Sequence, residues 1–341
     1  MRVVAAPARA KARKMFTQGG THLSLADALS CYDSWPAPDV VVSDGPYGLR
    51  SFPGDPPTVN SLAKVYEPHV LAWSKRAKPS TTLWFWCSEI GWATVHPLLD
   101  SAGWSYVRAC VWDKGAGHVA GNANSKTLRQ LPAVTELCVQ YVRKVLLPRG
   151  EDGKQVPMKD WLRAEWQRTR LPMSLTNQAA GVKNAATRKW FTACHLWYAP
   201  PGEALAKLAE YANEHGEPSD TPYFSLDGEA PVSAEEWDAL RPTFHCPPDR
   251  HNVWHHPAVR GAERIKLNGR SVHMNQKPLS LVRDTIRWTS DEGAVVWEPF
   301  AGTATALVAA ALSNREGYGA ELNEVFYRVA VERLRSTHAE L

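Results

Sequence analysis

Apolar and polar positions change period along the chain, and the changes mark the elements. Asp39-Val40-Val41-Val42-Ser43 is a β-branched run that stops at Asp44-Gly45-Pro46, the pattern of a buried central strand ending in a turn. Leu62 to Ala77 has helical spacing, with Leu62, Val65, Tyr66, Val70 and Trp73 near one face. Thr81 to Cys87 predicts a second strand, Trp92 to Ala102 a second helix, and Tyr106 to Trp112 and Val134 to Val142 two further strands. Leu23 to Leu29 reads as a short amphipathic piece. After Asn275 the alternation resumes: Pro278 opens a helix to Trp288, Ala294 to Trp297 is a strand, and Pro299 to Thr303 is a turn. A helix to Ser313, a strand from Gly317 to Leu322 and a helix from Val325 to Leu334 complete it. Strands alternating with such helices predict an α/β fold, an open sheet covered on both faces. It is built from both ends of the chain, with the middle inserted.

Charge separates that middle from the rest. The total is only +4, from 39 Lys and Arg against 35 Asp and Glu. Yet Lys154 to His195 holds Lys154, Lys159, Arg163, Arg168, Arg170, Lys183, Arg188 and Lys189 against Asp160 and Glu165, and Gly202 to Leu240 is acidic with only Lys207 opposing. The expected organisation is a basic arm at 1–20 (Arg2, Arg9, Lys11, Arg13 and Lys14), one half of the α/β domain at 21–149, an insertion at 150–270 and the second half at 271–341.

Composition excludes several classes. With 44% apolar and 22% charged residues, the chain is not dominantly disordered. No run approaches the roughly 18 apolar residues of a membrane span, and Met1 to Lys14 lacks the apolar core of a secretory signal. Six cysteines without a C-x-x-C pair exclude a disulfide scaffold and a zinc ribbon. Cys246, His251, His255 and His256 read as a polar loop rather than a zinc site, so no metal is expected. A cytoplasmic location follows from reduced cysteines and no export signal. The 15 tryptophans leave open whether they fill a core or face a ligand.

Two segments carry candidate chemistry. Asp44-Gly45-Pro46-Tyr47, at the carboxyl end of the first predicted strand, supplies a carboxylate, a kinked backbone and an aromatic ring. Asp44 and the Gly45 carbonyl can accept the two hydrogens of an amine on a planar ring, with Tyr47 stacked on its face; the same residue types also make ordinary turns. The second segment is Val295-Val296-Trp297-Glu298-Pro299-Phe300-Ala301-Gly302-Thr303-Ala304, followed after the next strand by Glu321-Leu322-Asn323. A tight turn opening a helix frees backbone N–H groups, and an acid at the end of the following strand suits a ribose diol. The G-x-G-x-x-G of a pyrophosphate site is absent, so the turn suits a nucleoside such as S-adenosylmethionine.

Together the two segments resemble the amino-methyltransferases of DNA. The first is similar to that family's D/N/S-P-P-Y catalytic motif and the second to its D-x-F-x-G-x-G cofactor motif. Their order, with Asn275-Gln276-Lys277-Pro278 in place of a T-Q-K-P-like segment before the cofactor strand, resembles the permuted β class. Leu25-Ala26-Asp27-Ala28-Leu29 is similar to the G-D-x-L element there. The resemblance covers about residues 21–145 and 270–335. It implies a Rossmann-like, circularly permuted fold that depends on S-adenosylmethionine, with an inserted, mainly helical target-recognition region. Carried over, the catalytic residues are Asp44, Gly45, Pro46 and Tyr47. Those of the cofactor are Asp27, Asn275, Lys277, Pro278, Glu298, Phe300, Ala301, Gly302, Thr303, Glu321 and Asn323. The departures are Gly45 for the first proline, Glu298 for aspartate and Ala304 for the last glycine.

The implied reaction is direct transfer to the exocyclic amine of a base flipped out of double-stranded DNA. Adenine N6 and cytosine N4 both stay open, whereas cytosine C5 chemistry lacks its Pro-Cys nucleophile. A homodimer and a cognate restriction endonuclease are partners such a family allows. Methylation of RNA or of protein glutamine, and a catalytically silent DNA-binding regulator, are the alternatives; the motif order and the intact Asp44, Tyr47, Gly302 and Glu321 argue against them. For reading DNA, Leu175 to Phe191 resembles a helix-turn-helix whose second helix would present Lys183, Asn184, Thr187, Arg188 and Lys189; a helical hairpin with a solvated basic face is the other reading. Trp161, Trp166, Trp190 and Trp197 would form its core. Arg260, Arg264, Lys266 and Arg270 are phosphate-clamp candidates.

Overall fold

The computed structural model of the protein describes residues 14–49, 55–115, 117, 127, 129, 131–149, 154–267, 269–272 and 275–341. Arg2, Arg9, Lys11 and Arg13 of the expected arm lie outside the described residues. Met15–Gln18 is a strand, β1, paired antiparallel with β2 (Thr21–Leu25). Gly19 and Gly20 between them have φ of 52° and 75°, the backbone that a two-residue hairpin turn needs. Leu23 to Leu29 is therefore not one amphipathic piece. It is the end of β2 followed by a 3-10 turn at Ala28–Ser30, capped by the Asp27 side chain.

Next come β3 (Val40–Ser43), α1 (Leu62–Arg76), β4 (Thr82–Cys87), α2 (Glu89–Ser101), β5 (Trp104–Asp113) and β6 (Thr135–Arg143). A separate compact unit spans Arg143–Pro242, narrower than the 150–270 expected. It holds β7 (Leu146–Arg149), β8 (Lys154–Pro157), α3 (Met158–Arg168), α4 (Thr176–Ala179), α5 (Gly202–His215) and α6 (Ala234–Ala239). The remainder is β9 (Val253–His255), β10 (Lys266–Leu267), β11 (Arg270–Ser271), α7 (Leu279–Trp288), β12 (Val295–Glu298), α8 (Thr305–Ala311), β13 (Glu316–Glu321) and α9 (Glu324–Glu340). Residues beyond Pro242 return to the main sheet because β9 pairs parallel with β5.

That sheet has nine strands in the order β1-β2-β13-β12-β3-β4-β6-β5-β9. Its centre is parallel: Val41 of β3 stands opposite Trp297 of β12 and Leu83 of β4, and Trp297 stands opposite Tyr318 of β13. Every residue of β3 and β4 is buried, as expected for strands covered on both faces. One face packs Tyr66, Val70 and Trp73 of α1 and Val95 and Leu99 of α2 over Val41, Leu83, Phe85 and Trp297. The other packs Val282 and Ile286 of α7 and Ala306, Ala309 and Ala310 of α8 over Val40, Val42, Trp84, Trp86 and Val296.

Tryptophan fills this core. Trp73, Trp84, Trp86, Trp104 and Trp297 are fully buried, and most of their indole N–H groups are satisfied locally. Trp73 donates to the Tyr32 hydroxyl at 2.9 Å, Trp84 to Thr289 Oγ1 at 3.0 Å, Trp104 to Ser74 Oγ at 2.9 Å and Trp297 to the Pro36 carbonyl at 3.0 Å.

The inserted unit is mainly helical around Trp161, Trp166, Trp190, Phe224 and Trp237, and Trp197 is half-buried against it, donating to the Trp190 carbonyl at 2.7 Å. Its segment from Leu175 to Phe191 is not a pair of full helices. Helix α4 is a single turn, and Ala186–Trp190 is one turn of π-helix. Ala186 and Trp190 face the core, while Asn177 Nδ2 donates to Thr187 Oγ1 at 2.7 Å and pins the two turns together. The apolar spacing that suggested two helices is thus met by two short turns around one core.

Candidate active site

Because β3 and β12 are parallel neighbours, the loops leaving their carboxyl ends emerge side by side. Ligand sites in open α/β sheets form at that edge. Asp44 to Tyr47 follow β3, Pro299 to Gly302 follow β12, and Glu321 ends β13, the next strand over.

The first loop is held from several directions. A Cβ at Gly45 would lie 2.5 Å from Tyr66 Oη and 2.7 Å from Phe300 Cδ2, so the residue standing for the family's first proline has no room to be larger. Tyr66 uses that hydroxyl to donate to the Pro46 carbonyl at 3.1 Å. Asp55 accepts from the backbone N–H of Tyr47 (3.0 Å), Gly48 (2.8 Å) and Leu49 (2.9 Å), which fixes the turn past Tyr47. The Tyr47 hydroxyl donates to Asp44 Oδ1 at 3.2 Å. Burial, with Asp44 and Glu136 nearby, pushes its phenol well up, so it stays a donor.

Lys277, expected at the cofactor, stands with the catalytic motif instead. Its Nζ lies 2.8 Å from Asp44 Oδ1 and 3.3 Å from Glu136 Oε2, with the side chain 2% exposed, and 5.1 Å from the centre of the Tyr47 ring. The ammonium therefore stands against the aromatic ring that sequence assigned to stacking. Burial favours the neutral amine, but Asp44 and Glu136 outweigh it and raise the Lys277 pKa. Glu136 in turn pairs with Lys114 Nζ. Burial pushes the Glu136 carboxyl up, yet Lys277 and Lys114 bring it below its usual value.

Beside this cluster lies a cavity of about 400 Å³, within the range of small-molecule sites. Asp27, Asp44, Gly45, Pro46, Phe300, Gly302, Glu321 and Asn323 line it, together with Ala26, Lys64, Pro68, His69 and Phe326. Glu321 is oriented by two backbone donors, Gly302 N–H to Oε2 at 2.7 Å and Asn323 N–H to Oε1 at 2.6 Å; burial raises its pKa. The Asn323 side chain caps α9 by accepting from Val325 and Phe326.

Other residues assigned to the cofactor by sequence lie outside that lining. Glu298 points under the turn and caps α8, accepting from Ala306 N–H at 2.8 Å and Leu307 N–H at 2.9 Å; burial pushes its carboxyl up to about 8. Ala301 and Thr303 are buried in the turn, and Pro278 is buried at the start of α7. The Asn275 carbonyl lies 3.2 Å from Lys277 Nζ. Ala304, at the family's last glycine, has φ 60° and ψ 44°.

His69, Glu136, Lys114 and Asp55 carried no motif signal. His69 sits on α1 with its ring 4.8 Å from Phe300 and its Nδ1 2.8 Å from the Tyr32 hydroxyl. Trp73 donates to the same hydroxyl, so Tyr32, His69 and Trp73 form one buried polar chain. Burial holds His69 neutral, with a pKa of about 4. Only the helical spacing of α1, which puts His69 one turn before Trp73, hinted at an inward position. The DNA candidates are placed as follows: Lys183, Asn184, Thr187 and Arg188 are exposed, Lys189 and Arg264 half-buried, and Arg270 exposed on β11.

The family profile described as DNA methylase, of the N6-adenine and N4-cytosine class, matches residues 39–332, from the edge of β3 into α9. The chain belongs to this family. Among similar proteins, the type II methyltransferase M.HindIII of Haemophilus influenzae is 41% identical over 71 residues, 21% of this chain and 23% of that one. The DNA adenine methyltransferase YhdJ of Escherichia coli is 34% identical over 83 residues, 24% of this chain and 27% of that one. The matches thus span about a quarter of each curated relative's length. Among solved structures, the M1.HpyAVI–SAM complex superposes with a TM-score of 0.52 at 14% identity, covering 92% of this chain and 98% of that one. The PvuII DNA methyltransferase, titled cytosine-N4-specific, superposes at 0.51 with 12% identity, covering 94% and 92%. At such identity these two show the fold, an α/β methyltransferase fold. Within it, Tyr66 and Phe300 close the space beside Gly45.

Proposed function

We propose that this methylase transfers a methyl group from S-adenosylmethionine to the exocyclic amine of a base flipped out of duplex DNA, N6 of adenine or N4 of cytosine. One observation carries the reading: parallel pairing of β3 with β12 brings Asp44, Gly45 and Pro46 into the same cavity as Phe300, Gly302 and Glu321. The cavity residues fit the cofactor. Glu321, with both oxygens oriented by backbone N–H groups, suits a ribose diol, and Phe300 and Phe326 offer apolar walls to an adenine ring. When bound, the cofactor supplies an electrophilic methyl on sulfur.

The protein's own part is to hold and shape the amine. An exocyclic amine is a poor nucleophile because its lone pair is delocalised into the ring. Hydrogen bonds from its two hydrogens to Asp44 and the Gly45 carbonyl favour a more tetrahedral nitrogen with the lone pair free, and fixed positioning supplies the rest. Flipping the base costs a few kcal/mol of stacking and pairing. Lys183, Asn184, Arg188 and Arg270, all exposed, are the proposed DNA contacts; Thr187 is a weaker candidate because its hydroxyl is engaged by Asn177.

The test is incubation of duplex DNA, RNA and protein with labelled cofactor, comparing wild type with Asp44→Ala. Label in DNA that disappears in Asp44→Ala supports the reading. Label in RNA alone, or in no substrate, overturns it. Mass spectrometry of nucleosides from labelled DNA then decides between adenine and cytosine.

A further inference from the structure

Charged side chains from separate segments converge behind the catalytic motif. Asp44 follows β3, Lys114 follows β5, Glu136 lies on β6, and Lys277 precedes α7. Lys277 is the hub, bonded to Asp44 Oδ1, Glu136 Oε2 and the Asn275 carbonyl, and Lys114 closes the set on Glu136 Oε1. The set is neutral, with two ammonium groups against two carboxylates. Both contacts to Asp44, from Lys277 and from the Tyr47 hydroxyl, fall on Oδ1, which leaves Oδ2 to receive an amine hydrogen.

Such a set is stable only as a whole. Two neighbouring half-buried carboxylates without a cation between them disfavour each other's ionised form, and a buried ammonium without carboxylates is strongly disfavoured. We infer that Lys277 and Glu136 are positioning residues for methyl transfer: Lys277 holds the Asp44 carboxylate rotated with Oδ2 free, and Glu136, balanced by Lys114, anchors Lys277. This rests on the proposed role of Asp44 toward the amine. It differs from the cofactor role that the Asn275-Gln276-Lys277-Pro278 segment suggested, since Lys277 is not among the residues lining the cavity.

The other titratable groups facing this cluster are Tyr47, Tyr66 on α1, Cys87 on β4, Glu89 on α2, Cys138 on β6 and Glu298 on β12. Burial pushes the two phenols and two thiols well up, so they remain neutral through the assay range. Glu89 and Glu298 are common to every variant; Glu298, pushed up to about 8, titrates inside the assay range, so each variant's pH profile is read as its ratio to wild type.

The experiment uses the full chain as wild type, Lys277→Met, Lys277→Arg, Glu136→Gln and the double variant Lys277→Met/Glu136→Gln. Transfer rates to duplex DNA are measured from pH 6 to 9, with cofactor affinity by calorimetry and folding by thermal melting. Lys277→Met is expected to lower kcat at pH 7 by ~10- to 100-fold, the scale of a misplaced catalytic group, with cofactor affinity unchanged. Its rate recovers as pH rises, because Asp44 and Glu136, left with Lys114 but without the cation between them, shed the proton they now share. Lys277→Arg keeps the wild-type pH profile. The double variant, again neutral, regains rate over Lys277→Met and loses the pH dependence. A wild-type rate and profile in Lys277→Met, or a pH-independent loss that the double variant does not relieve, overturns the proposal. Carboxyl titration by carbon NMR reads the same effect without turnover. It should show a carboxylate titrating higher in Lys277→Met than in wild type, and no such rise overturns the inference even if no DNA is methylated.

Discussion

Replacing Gly45 by alanine tests whether the departure from the family's first proline is built into the surrounding packing. The added Cβ would meet Tyr66 Oη at 2.5 Å and Phe300 Cδ2 and Cε2 at 2.7 and 2.8 Å, so both rings must move. Overpacking of this kind costs about 1–3 kcal/mol. Loss of the Tyr66 hydrogen bond to the Pro46 carbonyl adds about 1 kcal/mol, and the reduced freedom of the unfolded chain returns about 0.5 kcal/mol. The expected net loss is about 2.5 kcal/mol. Tyr66→Phe removes the nearest clashing atom along with the hydrogen bond, so the double variant should be more stable than the two single losses added, by about 1 kcal/mol. Phe300 lines the cavity, so Gly45→Ala should also weaken cofactor binding by about tenfold, or 1.4 kcal/mol. Urea denaturation of the wild type, both single variants and the double variant gives the coupling, and calorimetry gives the affinity. Losses that add within about 0.5 kcal/mol, with unchanged affinity, would refute the packing argument.

Other expectations concern the turn beneath the cavity. Glu298 has its carboxyl raised to about 8 from 4.5. A raised carboxyl contributes its stability below the unfolded value and loses it as pH rises through the folded one. Wild type should therefore fall relative to Glu298→Gln by about 4 kcal/mol from pH 5 to pH 9; denaturation curves that stay parallel across that range would contradict this. Ala304 occupies left-handed backbone at the entry to α8, a strain of about 1–2 kcal/mol for a residue with a Cβ. Its buried methyl offsets part of that. Ala304→Gly should thus range from unchanged to about 1 kcal/mol more stable by thermal melting, and a clear loss of stability would show that the methyl outweighs the strain.

The parts of the fold legible in the sequence are those written in local pattern. The β-branched run of β3, the aromatic run of β4 and the helical stripe of α1 needed no knowledge of their neighbours, and the motifs at Asp44 and Phe300 came with the turns that end strands. The hairpin of β1 and β2 was less visible: both strands are short and polar-rich, although Gly19-Gly20 was a turn signal. The destination of Lys277 was not local at all. Its segment is recognisable, but whether the ammonium reaches a cofactor or Asp44 depends on where α7 begins relative to β3. Glu136 and Lys114 matter through each other and through Lys277, a relation that exists only in space. For Leu175 to Phe191, apolar spacing could not distinguish full helices from single turns, because a few buried contacts such as Ala186 and Trp190 satisfy either.

The strand order has a consequence for synthesis. The β1-β2 hairpin and the block of β3, β4, β6 and β5 are translated early, yet β13 and β12 stand between them in the sheet. Until those strands emerge, β2 and β3 each present an open parallel edge, the kind of surface that invites mispairing in a nascent chain. The wedge that closes the sheet also delivers Phe300, Gly302 and Glu321. Closure of the fold and completion of the cavity are therefore one late event, and a ribosome-bound chain short of Glu321 can hold neither.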